Sequence, residues 1–519
     1  MSFLDPAFLF CFLPITLLLF ALAGRMFGPS GGCAVLIVAT LVFCLPYGWP
    51  FVAIVTASAL VNHFAFVALV RPSNRQRTDL RRRLFLGPLI FNLGLLIALK
   101  YGVVFDIIPG AAPLLATIAG AIPVTISFFT FQRTTMLFDA YQKRPETTEF
   151  AAATLSDHLR LGAFSLTFPN LIIGPIAYVS EIGTQLKQST FGKLRRADLE
   201  IGLIMVTIGL AKKMLFADPL DTYVVVPIFG AIHTGHRVIP TEAVMGMIGF
   251  YAQLYFDFSG YSDIAIGLAR LFGLELPINF NSPLRATGIV DFWKRWHITL
   301  TRVIARLLFT PLAVTGTRFA MKRGLKGAGL KLFTIWLPLL VNFEVIGLWH
   351  GARWTYVAFG LTQGIWYILE VEVRSSKRWK AFANRTPDML RLRAGQIFTF
   401  VPLVISLAIF RSQSLQDFAH LMGSLAGDWH NSAGTLLRTR WTVSTLTWAF
   451  AICWLCPNTY EFLRNYKPGI LTWKLPSTTP RWMNFAWHPT LLWALAFFVL
   501  GFMVIGALGV PTPFDYGGF

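Results

Sequence analysis

Charge is scarce in this sequence: Asp, Glu, Lys and Arg make up 13% of its 519 residues, where a soluble domain carries about 25%. With 55% hydrophobic residues, the chain has too little polar material to cover a water-facing surface, and a soluble enzyme is excluded. Cysteine is scarcer still. Cys11, Cys33, Cys44, Cys453 and Cys456 all fall in or beside apolar stretches. Cys453 and Cys456 are spaced C-x-x-C, but no second pair and no histidine at zinc-finger spacing accompanies them. They read as small membrane-buried residues, and no metal site is expected. An EF-hand loop and an H-E-x-x-H helix are absent, as are internal repeats and low-complexity linkers. A single integral-membrane domain over residues 1–519 is expected. The alternating pattern of an outer-membrane barrel is also missing, which leaves helices as the membrane-crossing form.

Acidic residues are the minority charge, 25 against 45 basic ones, for a formal net charge of +20. In a soluble protein such a surplus points to nucleic acid. Here Lys and Arg cluster between apolar runs, as the positive-inside bias places them, and no nucleic-acid partner is expected. The basic face would attract membrane lipids and an anionic acyl donor.

Apolar runs near the roughly 20 residues a span needs occur at 7–24, 33–49, 50–70, 84–106, 111–132, 199–216, 243–258, 331–348, 353–372, 395–411, 442–457 and 489–510. The fold class is therefore all-α and polytopic, with about 11–13 transmembrane helices. The first run ends in Ala21-Leu22-Ala23 like a signal peptide, yet Asp5 stands where a positive region belongs, and it is expected to be retained. Arg71, Arg75, Arg77, Arg81, Arg82 and Arg83 form one basic loop, and Arg374 to Arg393 another. Both are expected to be cytoplasmic, with Leu45–Pro50, the segment around Asp428 and both termini outside.

Two regions do not read as simple spans. Leu161–Tyr178 carries Pro169, Asn170, Gly174 and Pro175 and suits a re-entrant or surface hairpin. Residues 259–330 are too rich in polar groups to face lipid and are expected on the cytoplasmic side, partly re-entrant, lining a cavity.

The chemistry-bearing residues lie in and beside these regions. His350 sits in Gly347-Leu348-Trp349-His350-Gly351, at the junction of two apolar runs. An imidazole there can take a proton from a hydroxyl and return it, or it can be a structural histidine bonded to a neighbouring helix. Trp349 and Trp354 are expected to keep its surroundings dry. His297 follows Trp293 by four residues in Asp291-Phe292-Trp293-Lys294-Arg295-Trp296-His297, so both would share one face of a helix. Lys294 and Arg295 would point elsewhere, to meet phosphate or to snorkel to the interface. Asp257, Tyr261 and Asp263 suit helix caps and hydrogen bonds across a polar pocket better than a metal site.

Four motifs in this order, Phe256-Asp257-Phe258-Ser259-Gly260-Tyr261-Ser262-Asp263, Asn279-Phe280-Asn281-Ser282-Pro283, Asp291 to His297 and Gly347 to Gly351, resemble the membrane-bound O-acyltransferases. They are most similar to the bacterial branch with the alginate O-acetylases and the D-alanine transfer protein of teichoic acids. Ser127-Phe128-Phe129-Thr130-Phe131-Gln132 resembles that branch too, and the motif core spans about 120–360. The resemblance implies many helices around a pinched channel, with His350 as the catalytic histidine and His297 as a second active-site histidine. Trp293, Lys294, Arg295, Trp296, Asn281, Trp349, Asp257 and Tyr261 would then contact substrate or donor. No bound cofactor is implied. Acetyl-CoA or another acyl thioester would serve as co-substrate, and the acceptor would be an exported polysaccharide. A periplasmic SGNH-type O-acetylation protein would complete the transfer, and the home would be the bacterial inner membrane. The rival reading is a transporter or flippase, for which the missing internal repeat is unfavourable.

Overall fold

The computed structural model describes residues 1–105, 123–171, 173–427, 436–470 and 485–508. Among them every regular element is a helix, and Pro277 and Ile470 make an isolated bridge. Backbone polar groups in lipid must be satisfied within the segment, and a helix does this.

The chain opens with α1 (Leu13–Cys44), broken at Gly28, where φ is 62° and Pro29 follows. Helices α2 (Trp49–Val70), α3 (Thr78–Phe105) and α4 (Pro123–Tyr141) come next. Arg81, expected only as a topology signal, is buried and donates to the carbonyls of Leu69, Ala140 and Tyr141. It staples α2, α3 and α4 together. The 161–178 region holds α5 (Leu155–Ser165), a single turn at Phe168–Leu171 and a buried extended stretch, in keeping with a segment that is no simple span.

The centre of the molecule is α6 (Arg196–Ala211) against α7 (Pro240–Leu271). A Cβ on Gly209 would lie 2.6 Å from the Gly260 carbonyl oxygen, and one on Gly202 would lie 2.8 Å from that of Gly267. Small residues at matching intervals let two membrane helices touch backbone to backbone. Beyond α7 come α8 (Ile289–Arg295), α9 (Ile298–Lys322), α10 (Gly327–His350) and α11 (Trp354–Ser375). The short α12 (Lys377–Arg385) leads to α13 (Asp388–Arg411), and α14 (Thr439–Leu455) and α15 (Leu491–Ala507) follow.

Six of the described helices are long and apolar enough to cross a membrane: the first (Phe8–Tyr47), α2, the Thr78–Tyr101 part of α3, α9, α10 and α13. Shorter or more polar helices pack among them, and the outward side chains of α1, α13 and α15 are apolar, including Leu18, Phe398 and Phe498. This is a multi-pass all-α membrane protein. The 111–132 run and the segment around Asp428 fall partly or wholly outside the described residues.

Residues 259–330 line cavities, as expected, but much of the segment is more span-like than re-entrant. Their first part is the inner end of α7, a buried helix, and Ile298–Lys322 is itself apolar enough to span. The polar groups tolerate this because they are matched. Lys213 lies 2.5 Å from Asp218 and 2.9 Å from Asp257, while Lys212 lies 2.6 Å from Asp263. Asp257 and Asp263 are thus mid-helix ion-pair partners and not caps. Thr459 and Tyr460 also donate to Asp263, at 2.6 and 2.9 Å, which ties the C-terminal region to α7.

Candidate active site

His297 does not continue the helix that carries Trp293. Helix α8 ends at Arg295, and His297 stands at φ 42°, ψ 52° before α9 begins. The left-handed region is uncommon for a residue with a side chain, and Asn279 holds it there. The Asn279 carbonyl accepts the Ile298 N–H at 2.9 Å. Its side-chain oxygen lies 3.0 Å from His297 Nδ1, 2.9 Å from Thr299 Oγ1 and 3.3 Å from the Thr299 N–H. The Asn281 N–H also donates to the Arg295 carbonyl at 2.9 Å, so the 279–281 stretch is laced to the break. Phe128 stacks on the imidazole with centroids 5.9 Å apart, and Phe258 meets it edge-on at 4.7 Å.

His350 is the last residue of α10, which Gly351 terminates at φ 154°. Trp349 joins the two histidines: its ring centroid is 6.3 Å from that of His297 and 4.6 Å from that of His350. Phe410 of α13 meets His350 edge-on at 4.7 Å. Lys100 of α3 donates to the Trp349 carbonyl and Tyr101 to that of Leu348. A cation and a hydroxyl thereby occupy the carbonyl end of the helix, where the dipole favours positive charge.

Both histidines line one narrow cavity of about 30 Å³, walled also by Leu254, Trp293, Trp296, Ile346, Gln363 and Phe410. That volume holds little more than a water molecule. Trp293 Nε1–H donates to Gln363 Oε1 at 3.0 Å, and Gln363 donates to Ser406 Oγ at 2.8 Å. A buried hydrogen-bonded chain therefore fixes one wall across α8, α11 and α13. A cavity of about 1280 Å³ is lined by the same three helices, through Ile289, Trp366, Glu370, Phe398 and Thr399, and by Arg374, Arg385 and Arg391. Gln363 and Trp366 of α11, and Leu403 and Thr399 of α13, place the two cavities about one helical turn apart. Glu370 accepts the N–H groups of Ile289 and Val290 and so holds the start of α8. A further cavity, about 1040 Å³, lies beside Tyr178, Arg302, Arg306 and Arg318. Both Arg302 and Arg306 lie over the Tyr178 ring, at 4.3 and 4.8 Å. Burial raises the Tyr178 phenol above its ordinary range, against the pull of those guanidinium groups.

The structure brings His297, His350, Trp349, Trp293 and Trp296 together and separates the other expected contacts. Arg295 is buried, pairs with Asp291 at 2.9 Å and donates to the Asn281 carbonyl, so it holds the backbone. Lys294 is exposed. Asn281 faces Asn458, whose amide donates to it at 2.8 Å. Asp257 pairs with Lys213, whose ammonium lies 5.7 Å from the Tyr261 ring centroid, and neither residue lines the histidine cavity. Trp354 is 77% exposed and cannot dry the His350 pocket. Sequence reasoning missed Lys100, Gln363 and Phe410, which stand in apolar runs with no motif around them. It quoted Asn279 within a motif but gave it no role.

The sequence model of the membrane-bound O-acyltransferase family matches residues 92–389. The peptidoglycan O-acetyltransferase of Helicobacter pylori is 31% identical, over 82% of this chain and 80% of the relative. A probable alginate O-acetylase of Pseudomonas putida is 30% identical, over 93% of this chain and 91% of the relative. The teichoic acid D-alanyltransferase of Streptococcus thermophilus is 28% identical, over 55% of this chain and 67% of the relative.

Proposed function

We propose, from the premise that this chain belongs to the membrane-bound O-acyltransferase family, that it O-acetylates an exported polysaccharide at the bacterial inner membrane. The chain is an acyltransferase; the acceptor, the donor and the residues that act are our reading. The observation that carries it is the pair His297 and His350 on one buried cavity, bridged by Trp349.

Acetyl-CoA or a related acyl thioester would enter from the cytoplasm through the arginine-lined cavity of α8, α11 and α13, its thioester end reaching the histidines. His350 would take the proton of the acceptor hydroxyl as its oxygen attacks the thioester carbonyl carbon. Collapse of the tetrahedral intermediate would expel the thiolate, which recovers that proton from the imidazolium. The apolar walls would exclude the bulk water that otherwise hydrolyses the thioester. Supporting a glycan acceptor are the names of the relatives, which act on peptidoglycan and alginate. A periplasmic SGNH-type partner would carry the acetyl group onward to polymer.

The test is thioester turnover by the purified protein with a hydroxyl acceptor. Release of free thiol that depends on His350 is expected. A protein that binds the thioester and never cleaves it would overturn this reading and favour a carrier.

A further inference from the structure

We propose that Asn279 is a positioning residue: its side-chain oxygen holds His297 with the proton on Nδ1 and presents a bare Nε2 to the acyl-transfer cavity. This rests on the acyl-transfer reading above. The orientation of the Asn279 amide is fixed by its neighbours. The Thr299 N–H can only donate, and it points at the side-chain oxygen at 3.3 Å. The Thr299 hydroxyl accepts the Ile176 N–H at 3.1 Å, which leaves its own hydrogen to donate to that oxygen at 2.9 Å. The amide nitrogen, in turn, faces Ser262 Oγ at 3.2 Å. Swapping oxygen and nitrogen would set an NH2 group against a backbone N–H.

An oxygen that can only accept therefore faces His297 Nδ1 at 3.0 Å, and Nδ1 must carry the hydrogen. In a neutral imidazole the other nitrogen is then a lone pair. His297 is 2% exposed, and its Nε2 is buried with no hydrogen-bond partner among the described residues. A buried polar atom left unmatched needs an explanation, and the ring lines the cavity shared with His350. Nε2 accepts a hydrogen bond from an O–H or N–H of the bound substrate. In this state it cannot donate to the developing oxyanion, so His297 orients a substrate and leaves charge stabilisation to other groups.

The tautomer is read directly by nitrogen NMR of the purified protein carrying 15N-histidine, with the His297 signals identified by their loss in His297→Gln. A protonated Nδ1 and an unprotonated Nε2 are expected. A protonated Nε2 in the unaltered protein overturns the proposal whatever the variants do. Asn279→Leu removes the acceptor and should shift His297 toward the other tautomer, with kcat lowered about 10- to 100-fold, by analogy with the loss when the partners that orient a metal-ligating histidine are removed. Asn279→Asp keeps an acceptor in place, so it should keep the tautomer, and its charge should move the pH profile of kcat upward. An Asn279→Leu protein with unchanged tautomer and kcat would overturn the positioning role. If His297→Gln transfers acyl groups at full rate while the tautomer is as stated, the chemical role of His297 fails and the assignment of its proton stands.

Discussion

Lys100 Nζ donates to the main-chain carbonyl of Trp349 and lies 4.9 Å from the centroid of that same indole. Trp349 in turn touches the rings of both His297 and His350. One ammonium on α3 thus fixes the end of α10 and the ring between the two histidines. The helix dipole favours charge of this sign at a C-terminus, and the indole face attracts it further, against the cost of taking the ammonium out of water.

Lys100→Met should therefore lower the melting temperature slightly and the rate far more, because the ring it holds sets the geometry of the pocket. We expect a fall in kcat of about tenfold, since a misplacement near 1 Å in an active site can cost up to roughly 100-fold. Activity equal to the unaltered protein would show that Trp349 keeps its place without the lysine.

His350→Ala and His350→Gln should insert and purify like the unaltered protein while losing acyl transfer by about 10²–10⁴-fold, the usual effect of removing a general base. Yield, melting temperature and thiol release are measured together. Normal yield with near-normal turnover would remove His350 from the chemistry.

Which parts were legible follows from how far apart the deciding residues lie. His350, Trp349 and the glycines around them are contiguous, and a histidine between apolar runs is visible without a structure. The break at His297 was not visible, because Trp293 and His297 keep helical spacing. The residue that breaks the helix, Asn279, stands 18 positions earlier. The pairing of Asp257 and Asp263 was not legible for the same reason. Their partners, Lys213 and Lys212, lie on another element, and the polar run looked too costly for a membrane interior until they were in place. Lys100 was hidden at the far end of an apolar run, where nothing local marks it as the neighbour of Trp349.

The buried cluster of Lys213, Asp218 and Asp257 is a matter of stability and not of turnover. Lys213→Met would leave two carboxylates without their cation in a water-poor interior. Breaking such a buried group by removing one member costs about 3–5 kcal/mol. We expect low yield and a lowered melting temperature. Replacing Lys213, Asp218 and Asp257 together by Met, Leu and Leu should recover much of the loss. A stable Lys213→Met protein with reduced turnover would instead place Asp257 back among the substrate contacts.

The last prediction concerns how the donor arrives. The cavity shared by α8, α11 and α13 carries three arginines, and two are occupied: Arg374 pairs with Glu370 at 2.6 Å and Arg391 donates to the Ala383 carbonyl at 2.6 Å. Arg385, exposed like Arg374, has no ion-pair or hydrogen-bond partner for its side chain among the described residues, so it would be free to meet the phosphates of the proposed thioester donor. Contacts in water are weak, roughly 0.2–1 kcal/mol, so Arg385→Ala should raise the donor KM about two- to fivefold and leave kcat unchanged. Loss of binding shared by ground and transition states has that signature. Arg385→Glu should raise KM further, and added salt should narrow the gap between variants. Lys294 is also exposed but does not line this cavity, so Lys294→Ala should leave KM unchanged. If Arg385→Glu leaves KM unchanged while Arg318→Glu raises it, the donor enters by the cavity beside Tyr178, and the route along α11 and α13 is wrong.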